Sequence, residues 1–386
     1  MTTPGVPPAD IRVLLVEDRI PDAALGSGYP RMIDTIAELQ LLVGAHVALY
    51  PTFGVGEGES AHLPADVELI EVALEDHLGS LRERGRSYSA VIISRPHNYE
   101  RVAAIIRTYL PGVPVIYDAE ALYFRRIERQ SALATGRIKE TLLAEAAAMR
   151  ELEESIASEV DAVVCISADE AELLTGATKA PVVVNAPLLA KATLSHAGFA
   201  ARSNVGFVAG WSAGGNSPNA DGLRWFARHV WPLVLARVPG ARLLVTGDDP
   251  PQEVLRFACE SIEFLGRVPD LERFYDALRV AIVPIRYGSG VKLKTVEALQ
   301  FGVPTVSTSI GAESIPSDVD GLLPVADDEG AFAARVAELL LDQKAWDEHS
   351  ELLAEQGRRW NESRHVSIWP SLMTSVLTST LTKGHE

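Results

Sequence analysis

The chain has 386 residues, more than a single hydrophobic core ordinarily organises, so two domains of similar size are expected. Hydrophobic residues make up 47% and charged residues 23% of it, which is typical of globular proteins and not of disordered ones. The formal net charge of -17 repels nucleic acid on average, so nucleic acid is not an expected partner.

Cysteine usage and the length of the apolar runs disfavour secreted and membrane-spanning classes. Cys165 and Cys259 are too few for a disulfide framework or a zinc site, and both fall in segments that we predict to be buried. No secretory signal precedes the first apolar run, and no run reaches the roughly 18 to 20 residues that span a bilayer. We therefore expect a cytoplasmic protein without a transmembrane segment, while peripheral membrane contact and the oligomeric state stay open.

Short β-branched runs alternate with longer amphipathic runs along the first half. Continuous apolar runs of this length are typical of strands buried on both faces of a parallel sheet. The predicted strands are, in chain order, IRVLLVED (residues 11–18), HVALYP, VELIEV, SAVIISRP, VPVIYDAE, DAVVCIS and PVVVNAP. Helical patterns cover residues 31–44 and about 136–159.

The alternation lapses near residues 188–204, which predicts a linker, and then restarts. The second set of predicted strands is VGFVAG, ARLLVTGD, IEFLGRV, VAIVPIR, PTVSTSI and GLLPVA, with helices over 219–236, 270–278, 291–301 and 328–341. This pattern predicts an α/β protein in which two Rossmann-like, doubly wound parallel-sheet domains face each other across a cleft. The predicted divisions are a first domain over 1–190, a linker over 191–204, a second domain over 205–362, and a C-terminal helix over 363–386 that returns to the first domain.

The run VAIVPIR is followed by a glycine-containing turn and a helix that begins with two lysines. The turn over residues 288–290 permits close backbone approach, and the free amides at the start of the helix form a site for phosphate or diphosphate. Lys292 and Lys294 are electrostatically misplaced at this end, by about 0.3 to 1 kcal/mol each, unless an anion lies between them and the helix dipole. Their position therefore indicates a bound anion.

Glu297 lies three residues beyond Lys294 and so shares its helical face. A carboxylate one turn below a phosphate site can accept hydrogen bonds from ribose hydroxyls, so this segment predicts a nucleotide held by its diphosphate and ribose. The alternative is that the two side chains form a surface ion pair worth about 0.3 kcal/mol and that the glycines only make a turn.

Several segments together resemble a known enzyme family. PIRYGSGVKLKTVEALQFGVPTVSTSIGAESI resembles the donor-binding signature of retaining glycosyltransferases of family 4, which have the GT-B fold. VGFVAGWSAGGNSPNADGLRWFARHVWPLV, LLVTGDDP and IEFLGRVPDLERFYDALRVAIVPIR precede it in the order typical of that family. IPDAALGSGYPRMIDTIAELQLLVGAHVALYP resembles the family's Gly-rich loop and first helix, and VIYDAEALYFRRIERQ resembles its middle strand and acceptor-side loop. The resemblance covers nearly the whole chain and is more specific in the second half.

The resemblance implies that the second domain binds a nucleotide-activated sugar, while a first-domain loop with Arg31 nearby closes over the reacting centre. Lys292 or Lys294 would balance charge on the leaving group, and Glu297 would hold the ribose. The other donor-binding positions that it implies are Gly26, Ser27, Gly28, Gly210, Gly247, Gly266, Arg267, Val268, Arg286, Tyr287, Gly288, Ser289, Gly290 and Val291.

Three positions depart from the family's pattern. Ser289 stands where the first of two glutamates eight positions apart is often found, and Trp211 stands where many relatives have an Arg and a Lys. Tyr123 occupies the place of a first-domain histidine that is common in relatives. The leaving-group charge would then fall on Lys292, Lys294 and Arg286.

These observations predict transfer of a sugar from a nucleoside diphosphate sugar to a carbohydrate or other hydroxyl acceptor, with retention of anomeric configuration. Fixed amides and lysines aimed at the diphosphate favour the transition state, in which negative charge develops there. No dense Asp or His cluster suggests a catalytic metal, and no cofactor besides the nucleotide sugar is expected. The departing phosphate can take the acceptor's proton; Asp118 and Glu120 are alternative general bases, although acids at strand ends often only cap a helix. His97 could face the acceptor or be structural.

Two other functions stay open. A GT-B sugar-nucleotide epimerase would turn over a sugar nucleotide without an acceptor. A noncatalytic subunit would keep donor binding and show no turnover with any acceptor. A phosphorylase would need a pyridoxal-phosphate lysine and a far longer chain, and a nicotinamide-dependent oxidoreductase is disfavoured because GSGYPR lacks the three-glycine spacing.

Overall fold

The computed structural model of the protein describes residues 11–22, 28–56, 58–186, 197–211, 214–313, 315, 323–363 and 367–383. Two of the predicted donor-binding residues, Gly26 and Ser27, lie outside the described residues, as do residues 191–196 of the predicted linker. No helix in the described part of the chain is long and apolar enough to cross a membrane.

The first parallel sheet has seven strands in the order β3-β2-β1-β4-β5-β6-β7. Its strands are β1 (Arg12–Glu17), β2 (His46–Pro51), β3 (Glu68–Leu69), β4 (Ala90–Ser94), β5 (Val115–Asp118), β6 (Ala162–Cys165) and β7 (Val182–Val184). The helices between them are α1 (Tyr29–Glu38), α2 (Leu74–Glu83), α3 (Pro96–Tyr109), α4 (Tyr123–Ala132), α5 (Gly136–Glu159) and α6 (Ala168–Thr175).

The second parallel sheet has five strands in the order β10-β9-β8-β11-β12. These strands are β8 (Asn204–Val208), β9 (Leu243–Thr246), β10 (Ile262–Gly266), β11 (Leu278–Val283) and β12 (Thr305–Ser307). The helices of this part are α7 (Pro218–Trp225), α8 (Trp231–Arg237), α9 (Gln252–Leu255), α10 (Leu271–Ala277), α11 (Leu293–Gln300), α12 (Glu329–Leu341) and α13 (Gln343–Ser363). A last helix, α14 (Trp369–Lys383), follows.

Strand β1 shows why the apolar runs are continuous. Leu14 and Val16 pack into one buried cluster, while Val13 and Leu15 pack into another on the opposite face of the sheet. Successive strand residues point to opposite faces, so a strand covered on both faces needs an apolar residue at every position. The predicted fold class, with two Rossmann-like parallel-sheet domains, is confirmed in these two sheets.

Several elements differ in detail from the predicted ones. VELIEV forms only the two-residue strand β3, and GLLPVA contributes one isolated bridge, from Val325 to Ser307, within the described residues. The helix predicted over 219–236 contains the π-helical turn Phe226–Val230. Cys165 is buried as predicted, but Cys259 is exposed, because it lies in the short turn before β10 and not in a strand.

The chain groups into two compact units. The first comprises Met1–Phe124, Ala144–Pro187 and Val366–Glu386, and the second comprises Arg125–Leu143 and Leu188–His365. The segment 125–143 was predicted to be part of the first domain, and it groups with the second unit instead. In the first unit, Trp369 and Met373 of α14 are buried in the same cluster as Val13 of β1.

Candidate functional site

The order of strands in the second sheet defines where a ligand fits. The chain moves outward from β8 through β9 to β10 on one side, and then crosses to β11 and β12 on the other. In open parallel sheets, ligands bind outside the carboxyl ends of the strands at this topological switch point. Here those ends are residues 209–211 after β8 and residues 284–292 after β11.

The turn after β11 contains two glycines and runs directly into the start of α11. Gly288 has φ 145° and Gly290 has φ 69°, conformations that residues with a Cβ rarely adopt. The helix begins at Leu293, two residues later than predicted, and its N-cap residue Lys292 makes no side-chain cap bond. The Thr295 amide already donates to the Lys292 carbonyl at 2.8 Å, so the amides of Leu293 and Lys294 are the ones that can bind an anionic ligand.

Glu297 and Tyr275 form a hydrogen-bonded pair one turn into α11. The Tyr275 hydroxyl donates to Glu297 Oε2 at 3.0 Å, and the Tyr275 ring stacks on Phe301 with centroids 5.0 Å apart. Burial raises the pKa of Glu297 against the opposing effects of Tyr275 and Lys294, and it raises the pKa of Tyr275 well above its usual range. Glu297 Oε1 has no hydrogen-bond donor among the described residues, so it can accept one from a ligand.

Lys294 is held against the end of β8. Its Nζ donates to Asn219 Oδ1 at 2.7 Å and lies 5.5 Å from the centre of the Phe207 ring. Asn219 Nδ2 in turn donates to the Gly210 carbonyl at 2.6 Å. Burial lowers the pKa of Lys294 to about 8 despite the nearby Glu297 carboxylate. An anion beside this ammonium group would stabilise its charged form.

Lys292 does not stand as the uncompensated cation that the sequence suggested. Its Nζ donates to the Gly290 carbonyl at 2.6 Å and lies 3.2 Å from Glu313 Oε2. Glu313 also forms ion pairs with two arginines of α4. Its Oε1 lies 2.7 Å from Arg125 Nη2, and its Oε2 lies 2.7 Å from Arg129 Nη1. Burial opposes the charge on Glu313, but the hydrogen bond from Arg129 and the neighbouring cations lower its pKa. The inference of an anion from misplaced lysines therefore fails at Lys292, because Glu313 supplies the negative charge.

Arg286 is likewise paired within the protein. Its Nε and Nη2 donate to the two carboxylate oxygens of Asp221 at 2.9 and 2.7 Å. This bidentate pair gives the guanidinium group a counter-charge within the protein, so the assignment of leaving-group charge to Arg286 is not supported. Tyr287 is buried and donates its hydroxyl to the Asn216 carbonyl.

The other predicted donor-binding residues of the second unit differ in exposure. Ser289 is half-buried and Val291 is buried in the turn before α11. Gly247 donates its amide to the Gly266 carbonyl at 2.9 Å, which joins the ends of β9 and β10. Arg267 is exposed, whereas Val268 packs with the cluster that holds Tyr275. Trp211 is buried against Phe207, with ring centroids 6.5 Å apart, so it is part of the core of the second unit.

The two alternative general bases of the first unit are both engaged. Asp118 is fully buried and accepts two hydrogen bonds from Arg31 Nη2, at 2.8 and 2.7 Å. Glu120 is bound by Arg95 and has φ 57°. A Cβ on Gly28 would lie 2.1 Å from Glu120 Oε1, so a larger residue there would have to displace the Glu120 side chain. These partners favour a structural role for both carboxylates.

Some residues that shape the site were not singled out from the sequence. Tyr275, Asn219, Asp221 and Glu313 lie far along the chain from the residues they contact. A weak signal existed for Glu313, since it lies three residues after the end of the predicted strand PTVSTSI, within the segment that resembles the donor-binding signature. No group of three or more His, Cys, Asp or Glu side chains in the described ranges is arranged to hold a metal ion.

Comparison with known proteins gives one domain match. Residues 205–342 match the family model described as "Glycosyl transferases group 1". A protein of Klebsiella pneumoniae, described as an uncharacterized 44.6 kDa protein in the cps region, is 29% identical over 127 residues. That alignment covers 31% of this chain and 33% of the relative, so the two are alike over one third of the relative's length.

Solved structures share the fold over almost the whole chain. Sucrose-phosphate synthase from Thermosynechococcus elongatus has a TM-score of 0.58 and 16% identity, with 97% of this chain and 98% of that chain covered. The α,α-trehalose 6-phosphate synthase of Burkholderia multivorans has a TM-score of 0.62 and 12% identity, with 97% and 100% covered. Anabaena Alr3699/HepE in complex with UDP and glucose has a TM-score of 0.60 and 14% identity, with 97% and 99% covered.

At these identities the structural likeness defines the fold, which is GT-B. Within that fold, residues 205–342 are similar to the domain described as "Glycosyl transferases group 1".

Proposed function

We propose that this protein transfers a sugar from a nucleoside diphosphate sugar to a hydroxyl acceptor, with retention of anomeric configuration and without a metal. The observation that carries the proposal is the arrangement at the switch point of the second sheet. The uncapped start of α11, Lys294 and the free oxygen of Glu297 lie together within the segment that matches the glycosyltransferase domain.

Each group has a chemical role in this proposal. The amides at the start of α11 and the Lys294 ammonium stabilise the charge that develops on the departing diphosphate. Glu297 accepts a hydrogen bond from a ribose hydroxyl through Oε1, while Tyr275 holds Oε2. The turn over residues 288–290 lets the backbone approach the diphosphate or the sugar.

The proton of the acceptor hydroxyl goes to an oxygen of the departing phosphate in this scheme. The bond between the acceptor oxygen and the anomeric carbon forms on the face that the diphosphate leaves. The ion pairs of Asp118 and Glu120 support this route, since neither carboxylate has the freedom of a general base. Retention is tested by the anomeric coupling constant in the NMR spectrum of the product.

Donor binding is tested by thermal unfolding in the presence of nucleotide sugars. A ligand at a hundred times its dissociation constant stabilises the folded state by about 2.7 kcal/mol. UDP and UDP-glucose are the first compounds to test, because the Anabaena structure of the same fold was solved with UDP and glucose. Absence of stabilisation by every nucleotide sugar in a panel of bases would reject the proposal.

Turnover separates this proposal from its two alternatives. An epimerase converts the sugar nucleotide without an acceptor, and a noncatalytic subunit binds the donor without converting it. A transferase releases nucleoside diphosphate in an acceptor-dependent manner. Loss of activity with a chelator and recovery with magnesium would contradict the metal-free part of the proposal.

A further inference from the structure

A single asparagine, Asn219, connects the end of β8 with the lysine at the start of α11. Its Oδ1 accepts from Lys294 Nζ at 2.7 Å, and its Nδ2 donates to the Gly210 carbonyl at 2.6 Å. These partners define the orientation of the amide, because an ammonium group only donates and a carbonyl only accepts. An asparagine amide carries one acceptor and one donor group side by side, so it can bind both partners at once.

Asn219 is not required to cap the helix that carries it. It is the second residue of α7, and the cap is Ser217, whose Oγ accepts from the Ala220 amide at 3.1 Å. Pro218 occupies the first position of the helix, where its fixed φ is favourable. Both partners of the Asn219 side chain lie elsewhere, nine and 75 positions away in the chain. The side chain therefore makes a contact between elements and not within its own helix.

Helix α7 packs closely against the segment that follows β11. A Cβ on Gly222 would lie 2.4 Å from the Pro284 carbonyl oxygen, so a larger residue there would have to push the helix away from that backbone. The carboxylate of Asp221 also binds the Arg286 guanidinium through two hydrogen bonds, at 2.9 and 2.7 Å. These contacts fix α7 beside the chain that leads into the predicted diphosphate turn. The Asn219 amide is therefore presented from a well-anchored helix.

Lys294 keeps part of its hydrogen-bonding capacity for a ligand. An ammonium group has three N–H donors, and Asn219 is the one hydrogen-bond acceptor of Lys294 Nζ among the residues that the structure describes. The Phe207 ring lies 5.5 Å from Nζ and offers the ammonium group only its π face. Two donors are thus left for a ligand at the start of α11.

The charge of Lys294 depends on the groups that surround it. Burial lowers its pKa to about 8, Glu297 opposes that change, and Lys292 adds to it. From α10, the Tyr275 hydroxyl reaches Glu297 and the Lys294 carbonyl. Helix α7 contributes Asn219 and β8 contributes an aromatic ring, and neither of these titrates. A hydrogen bond to the charged form favours that form, so Asn219 counteracts part of the effect of burial.

We infer that Asn219 is a positioning residue for the diphosphate of the donor: it holds the Lys294 ammonium group in place and in its charged form. It acts through Lys294 and needs no contact with the donor itself. Because Lys292 and Arg286 have carboxylate partners, Lys294 is the cation of this turn on which the diphosphate depends most. This inference rests on the proposed function, since it adds a residue to the diphosphate subsite of that transfer.

The first experiment measures the titration of the Lys294 side chain in the full chain without nucleotide. NMR of protein containing isotope-labelled lysine follows the Cε resonance with pH, and Lys294→Arg identifies that resonance. Asn219→Leu should lower the pKa of Lys294 by about one, the effect of one hydrogen bond to a charged group. Asn219→Asp should raise it by about one or more, because it places a negative charge beside the ammonium group. A role in packing alone would not move the titration in opposite directions.

The second experiment measures the affinity for UDP by calorimetry at pH 7. Asn219→Leu should weaken binding by about tenfold, through loss of a fixed charge-assisted contact. Asn219→Asp should weaken it too, because its carboxylate competes with the diphosphate for Lys294. The matched control is Asn204→Asp, since Asn204 begins β8 at the other end of the strand and donates to the Ala277 carbonyl at 3.5 Å. This control should change neither the titration of Lys294 nor the affinity.

Thermal unfolding of each variant verifies that it is folded. Identical titration of Lys294 in the wild-type protein, Asn219→Leu and Asn219→Asp would overturn the inference, as would equal UDP affinities for Asn219→Leu and Asn204→Asp. Failure of the wild-type protein to bind any nucleoside diphosphate rejects the proposed function instead. The titration uses no nucleotide, so the two failures are distinguishable.

Discussion

Glu297 illustrates how a single carboxylate is prepared for a ligand. It is half-buried, its Oε2 is occupied by Tyr275, and its Oε1 is free among the described residues. A half-buried, ionised carboxylate with one free oxygen is stabilised when a ligand donates a hydrogen bond to that oxygen. The pKa of Glu297 is raised because burial disfavours the charged form more than the Tyr275 hydrogen bond and Lys294 favour it.

Glu297→Gln should therefore weaken binding of the nucleoside diphosphate by about 1.5 to 3 kcal/mol, the contribution of a hydrogen bond to a charged group. The amide keeps an acceptor for Tyr275, so we expect little change in thermal stability. Calorimetry with UDP measures the change. Glu338→Gln, an exposed carboxylate that pairs only with Arg335 among the described residues, is the control. Equal affinities in the two variants would remove Glu297 from the site.

Lys294 gives the proposed reaction a pH dependence. Burial lowers its pKa to about 8, so the charged form that balances the leaving group is lost as the pH rises through about 8. Turnover should fall on this alkaline limb, and Lys294→Arg should move the fall to higher pH because a guanidinium group stays charged. A pH profile of kcat/KM, which reports pKa values of the free enzyme, provides the measurement for both proteins. An unchanged limb in the arginine variant would assign it to another group.

The same pKa has a consequence for stability. The folded state binds fewer protons than the unfolded state between about 8 and the ordinary lysine value of 10.5, so the free energy of unfolding contributed by Lys294 rises with pH across that window. As the pH rises from about 8 to 10.5, the contribution of Lys294 to the free energy of unfolding should therefore increase while turnover decreases.

At the scale of elements, Glu313 connects two parts of the chain that are far apart in sequence. Its carboxylate binds Arg125 and Arg129 of α4 and Lys292 at the start of α11. The Arg129 guanidinium also donates to the Gly288 carbonyl at 2.7 Å, inside the predicted diphosphate turn. Helix α4 therefore supports the geometry of that turn through one acidic residue.

Glu313→Ala should leave three partly buried cations without their counter-charge and destabilise the second unit by about 3 kcal/mol, the lower end for a broken buried pair. Urea unfolding at pH 7 measures this loss. The contribution of wild-type Glu313 should disappear as the pH falls through its lowered pKa, because protonation removes the charge that the cations bind. Arg335→Ala, which breaks an exposed pair, should change stability by less than about 1 kcal/mol. A similar small loss for Glu313→Ala would show that the cluster does not stabilise the unit.

At the scale of the whole molecule, the chain leaves the first unit, forms the second, and ends in the first again. Helix α14 supplies Trp369, Met373 and Val376 to the cluster under β1, and Ser367 donates to Glu38 at 2.8 Å. The core of the first unit is therefore complete only when the last residues of the chain have been added.

Trp369→Ala should destabilise the first unit by about 3 to 5 kcal/mol, since Trp369 is fully buried and a large cavity would remain. Hydrogen exchange read separately for β1 and for β8 locates the effect. We expect lost protection at β1 and unchanged protection at β8. Equal loss at both strands would mean that the units unfold together and not independently.

Local sequence patterns predicted most of the strands and helices and the glycine turn before α11, because each of these depends on residues that are close together in the chain. Continuous apolar runs indicate buried parallel strands, and glycines before a helix indicate a phosphate turn, whatever the rest of the chain does. Lys294 and Glu297 were selected as candidate site residues in this way.

Which charged side chains are left without a counter-charge depends on contacts between residues that are far apart in sequence. Glu313 neutralises Lys292 across 21 positions, Asp221 neutralises Arg286 across 65, and Arg31 neutralises Asp118 across 87. Pairings over such distances follow from the order of strands in a sheet, and a single sequence carries no local signal of that order. The same holds for Asn219, which α7 places between the end of β8 and Lys294 of α11.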